Sequence, residues 1–73
     1  MTVGERFREL RKERGIPAAV LARRVGVSTQ TLWLLERWDL PPRSHRVRQA
    51  LARELRVPYE TLWGEVEGGE STP

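Results

Sequence analysis

Apolar residues recur along this chain at intervals of three and four. Val3, Phe7 and Leu10 stand at i, i+4 and i+7; Leu21, Ala22 and Val25 at i, i+1 and i+4; Val47, Ala50, Leu51 and Leu55 repeat the pattern further on. A period of 3.6 gathers each set on one face of a helix, and no segment shows the period-2 alternation of a strand. The punctuation between the sets then bounds the elements. Thr2 and Glu5 form the T-x-x-E pattern of a capping box and open a first helix that runs to Arg14, with Gly15 ending it. Pro17 opens a second helix that runs to about Val25. Ser28 caps a third through Arg37, and Ser44 caps a fourth to about Arg56. Pro58 begins a short fifth helix through about Trp63, which buries Leu62 with help from Tyr59 or Trp63. The paired prolines Pro41 and Pro42 make the segment from Trp38 a loop. The expected fold class is all-α, a compact bundle of five short helices, with a domain over residues 1–63 and a flexible acidic Gly/Glu-rich tail over 64–73.

The central stretch, Ile16 to Arg37, reads as two helices joined by a tight turn at Gly26-Val27-Ser28, a helix-turn-helix. Gly26 adopts the left-handed conformation that ends a helix without a Cβ clash. Val27 and Leu32 have the spacing of a hydrophobic staple around the Ser28 cap. With Leu32, Leu35 and the stem of Glu36 turned inward, a step of 100° per residue puts Gln30, Trp33, Leu34 and Arg37 outside. An amphipathic helix serving only the core would carry polar residues there, so Trp33 and Leu34 call for a reason.

Charge changes the picture more than size does. The 73 residues suffice for one small domain with a few kcal/mol of net stability. Residues 1–63 hold all 13 basic residues and 7 of the 10 acidic ones, a balance of +6, while Glu65, Glu67 and Glu70 fall in the tail. Such a balance favours an anionic partner, nucleic acid above all. With no cysteine and a single histidine, His45, the chain has no disulfide, no thiolate metal site and no histidine cluster, so no metal, cofactor or small-molecule ligand is implied and an enzyme is not expected. No basic n-region followed by an apolar run opens the sequence and no stretch approaches the roughly 20 apolar residues that span a bilayer, so the expected compartment is the cytoplasm, on the nucleoid when bound. Twelve of the basic residues are arginine and asparagine is absent, as fits a GC-rich or thermophilic source.

Leu10-Arg11, Gly15, LARRVGVS at 21–28, LWLLER at 32–37 and LARELRVPYETLW at 51–63 together resemble the lambda-repressor/Cro-type DNA-binding domain, the xenobiotic-response-element family. The resemblance covers roughly residues 3–63. It implies that Arg11 and Glu36 form a structural ion pair between the first helix and the third. It also implies a sequence-specific double-stranded DNA-binding transcriptional regulator, such as a small repressor, an antitoxin-like autoregulator or a Cro-like factor. The recognition helix, about 28–37, would lie in the major groove. Candidate base contacts are then Ser28, Thr29, Gln30, Trp33 and Leu34; Gln30 can give two hydrogen bonds to adenine, worth about 1–3 kcal/mol of discrimination. Backbone contacts fall to the amide of Ala18 and to Arg23, Arg37, Arg43 and Arg46.

The chain departs from the family's pattern in two places. Many members carry glutamine where Ala18 stands, and alanine offers only its N–H. Trp38 stands where glycine is frequent and is expected to fold back over the core. Because one such module buries too little surface for tight specific binding, a homodimer is expected. The alternative is a protein-interaction module on the same fold, with Trp33, Leu34, Trp38 and Leu40 as an apolar patch for a partner protein and Arg37 and Arg43 on its rim.

Overall fold

The computed structural model describes the backbone of residues 1–70 and the side chains of residues 1–64. Five helices follow in order: α1 (Val3–Glu13), α2 (Ala18–Val25), α3 (Thr29–Trp38), α4 (His45–Glu54) and α5 (Tyr59–Glu70). No strand occurs among the described residues, and the fold class is the all-α bundle that the periodicity predicts.

The helices start where their capping residues place them. The Thr2 hydroxyl accepts from the Glu5 amide at 3.1 Å while the Glu5 carboxylate accepts from the Thr2 amide at 3.0 Å, a reciprocal capping box. Ser28 accepts from the Thr31 amide and Ser44 from the Val47 amide, each at 3.3 Å. Gly26, at φ 79°, closes α2, and the Val27 amide reaches back to the Ala22 carbonyl at 2.9 Å.

One core joins all five elements. Phe7 of α1, Leu21 and Ala22 of α2, Leu32 and Leu35 of α3, Leu51, Ala52 and Leu55 around α4, and Leu62 and Trp63 of α5 are all buried. Each full-size side chain among them contributes about 1.5–3 kcal/mol by leaving water. α1 lies against α3 and α5, while α2 lies between α3 and α4. The close approach of α1 to the end of α3 depends on Gly4: a Cβ there would run into the Leu35 carbonyl oxygen and the Asp39 carboxylate. The Gly4 amide instead donates to Asp39 Oδ1 at 2.9 Å.

Four expectations need correction. α4 ends at Glu54 rather than near Arg56, because Arg56 turns left-handed at φ 59°, with its amide on the Arg53 carbonyl and the Val57 amide on the Ala52 carbonyl. A non-glycine residue in that conformation costs about 1–2 kcal/mol. Arg48, which lies off the Val47, Ala50, Leu51 and Leu55 stripe of α4, is nevertheless buried at 7% exposure. The proline loop folds over it and presents the Pro42 carbonyl, which accepts from Arg48 Nε at 2.6 Å, while the Trp63 indole N–H donates to the Arg48 carbonyl at 2.8 Å. Trp38 does not fold back over the core. It ends α3 at 59% exposure, because Asp39 takes the left-handed cap at φ 57° and is held by Gly4, which leaves the tryptophan outside. Finally, α5 continues past Trp63 to Glu70. Gly64, Gly68 and Gly69 each weaken a helix by about 1 kcal/mol but, unlike proline, do not stop it. The flexible tail expected over 64–73 falls on residues whose side chains beyond Gly64, and whose backbone beyond Glu70, lie outside the described ones.

Candidate nucleic-acid interface

The α2-turn-α3 unit is held from behind before it presents anything in front. Arg11 Nε donates to Glu36 Oε2 at 2.7 Å and its Nη2 to Glu36 Oε1 at 3.0 Å, while Nη1 donates to the Ile16 carbonyl at 3.0 Å. One guanidinium thus fixes α1, the α1–α2 turn and α3 together. The two side chains are only 14% and 15% exposed, so the fork geometry is well shielded from water. Leu32 and Leu35 fill the same side of α3 and are fully buried.

The opposite side of α3 carries Thr29, Gln30, Trp33 and Arg37, all exposed. Thr29 and Gln30 make no side-chain hydrogen bond among the described residues, so their polar groups are free to meet another molecule. Ser28 is exposed too, but its oxygen already accepts from the Thr31 amide and lies 3.2 Å from the Thr31 hydroxyl. Leu34 is half-buried at the border of this face, and its carbonyl accepts from the Leu40 amide. The Arg37 guanidinium lies 5.6 Å from the centre of the Trp33 ring. That cation–π contact steers the charge along the helix surface.

The other cations fall into groups on α2 and at the start of α4. Arg46 in the first turn of α4 and Arg24 of α2 line a cleft with Gly26 and Ser44. Arg23 is exposed on α2, and Arg43 is exposed just ahead of the α4 cap. Ala18, half-buried, is the first residue of α2, whose N-cap Pro17 supplies no side-chain hydrogen bond. The first amides of that helix therefore have no side-chain cap.

Pattern reading missed three residues beside α3. Arg8 and Lys12, at i and i+4 on α1, line a groove with Trp33, Arg37 and Trp38. Their spacing next to Arg11 was the available signal. Asp39 is the third; its tolerance of the left-handed region and its place after a helix marked it as a cap.

Comparison with known proteins agrees with this fold. The family described as "Helix-turn-helix domain" matches residues 2–62. An uncharacterized HTH-type transcriptional regulator from Methanothermobacter thermautotrophicus is 46% identical over 51 residues, covering 66% of this chain and 74% of that one. Among solved structures, the N-terminal DNA binding domain of SinR from Bacillus subtilis superimposes with a TM-score of 0.73 at 30% identity, covering 82% of this chain and 87% of that one.

Proposed function

This chain belongs to the helix-turn-helix domain family of DNA-binding transcriptional regulators, which is not a family of enzymes, and from that premise we propose that it reads a specific duplex sequence by laying α3 in the major groove. The observation that carries the reading is the outward side of α3, where Thr29 and Gln30 are exposed at the start of a helix whose other side is locked into the core. A rigid mount with free polar groups at its N-terminal end is what base readout requires. Gln30 takes an adenine edge, Thr29 a base edge or a thymine methyl, and Trp33 and Leu34 contact methyl or sugar groups. Ser28 contributes through whatever its capping bond leaves free. The Ala18 amide and Arg23, Arg37, Arg43 and Arg46 hold the phosphates.

The regulator works as a homodimer, its half-sites about 34 Å apart on one face of the duplex. Occupying that DNA in the cytoplasm excludes other proteins from it, so repression is the direct outcome. A second reading is favoured by one observation: Trp33, Trp38 and Leu40 are 48%, 59% and 54% exposed, an apolar patch suited to a protein partner.

Titration with duplex DNA, followed by tryptophan fluorescence, separates the two. Trp63 is buried and serves as a constant background, whereas Trp33 and Trp38 report on the α3 face. A DNA reader gives saturable quenching that added salt reverses with a steep logarithmic slope. An unchanged spectrum at about 0.15 M salt, near the physiological screening length, would leave the patch to a protein partner.

A further inference from the structure

The flank of α2 turned toward α4 carries a second concentration of positive charge. Where the α1–α2 turn meets the end of α4, an open pocket of about 600 Å³ is lined on its apolar part by Ile16, Pro17 and Val20. Arg14, Arg24, Arg53 and Arg56 stand around it with a single carboxylate, Glu54. Two of the guanidiniums are already engaged: Arg14 donates to the Leu55 carbonyl, and Arg24 lies 3.5 Å from Glu54. Arg53 and Arg56 are exposed, and their guanidiniums make no hydrogen bond or ion pair among the described residues. Arg56 also occupies a left-handed backbone position where glycine would be unstrained, so a charged side chain stands there in spite of the conformation.

Like charges gathered around a concavity repel one another until an anion arrives. The apolar lining narrows what that anion is. A phosphodiester backbone offers Ile16, Pro17 and Val20 only the small, oxygen-flanked methylenes of its sugars, whereas a peptide with carboxylates flanking an aliphatic side chain matches both parts of the pocket. We propose that this pocket docks an acidic peptide segment of a partner protein, its aliphatic residue on Ile16, Pro17 and Val20 and its carboxylates on Arg53 and Arg56. The site lies on a different flank of α2 from α3 and does not rest on the DNA reading.

The test uses the full chain and a dye-labelled pentapeptide of four glutamates around a central leucine, with fluorescence polarisation read at about 0.15 M salt. The double variant R53A/R56G keeps the fold, since glycine suits the backbone at position 56, and a melting curve checks this. The expected result is saturable binding by the unaltered chain, weakened about tenfold or more both in R53A/R56G and when glycine replaces the leucine of the peptide. No binding by the unaltered chain, equal binding by R53A/R56G, or indifference to the leucine with displacement by non-operator duplex would overturn the proposal; the last would mark the pocket as a general polyanion site.

Discussion

The two sides of α3 carry the same helix to opposite ends. On the inner side Leu32, Leu35 and Glu36 are buried or nearly so, and each has a defined neighbour: the core for the leucines, the Arg11 fork for the glutamate. On the outer side Thr29, Gln30, Trp33 and Arg37 are exposed, and the Arg37 guanidinium lies against the Trp33 ring. Substitutions on the inner side should therefore be felt as stability, and those on the outer side as binding. A domain of 73 residues has little stability to lose, so the inner side is unforgiving.

Leu35→Ala should give the largest effect. Emptying a fully buried leucine site costs about 2–5 kcal/mol, comparable to the entire net stability, so a urea titration should show a mostly unfolded chain. A loss below about 1 kcal/mol would mean that α3 is held by something other than its core side. Next comes Glu36→Ala, which strands the Arg11 guanidinium in a place only 14% exposed and should cost about 2–3 kcal/mol. A double-mutant cycle with Arg11→Ala should return a coupling of about 1 kcal/mol or more; simple additivity would deny that the pair acts as one clamp. On the outer side, Arg37→Ala should leave stability within about 0.5 kcal/mol while lowering the salt slope of DNA binding by about 1. Trp38→Ala should be the quietest of the set, with a melting temperature shifted by no more than about 4 °C. A larger fall would mean that the ring covers core despite its exposure.

The order of the helices, their caps and the burial of Leu21, Leu32, Leu35 and Leu51 were legible because each follows from short-range chemistry: period, cap and turn residue. Arg48, Trp38 and the end of α4 were not, and for a shared reason. Each is decided by a neighbour distant in sequence or by a backbone choice that periodicity does not contain. Arg48 is buried because its guanidinium meets the Pro42 carbonyl and lies 6.0 Å from the centre of the Trp63 ring. Trp38 is exposed because Asp39 is tied to Gly4, 35 residues away. At the interface, the outward placement of Gln30, Trp33 and Arg37 could be counted off along the helix, whereas Leu34 sits at the edge of that face, drawn in where the chain reverses after Asp39 and the Leu40 amide meets its carbonyl. Arg8 and Lys12 became neighbours of Trp33 only once α1 was packed across α3.

Selection of bound duplexes from a random pool at about 0.15 M salt, run for the unaltered chain and for Gln30→Ala, tests the separation of the two sides most directly. The expected result is a two-fold symmetric motif that Gln30→Ala relaxes at one or two base pairs by about 1–3 kcal/mol, with no change in melting temperature. A folded protein that enriches no motif would contradict it.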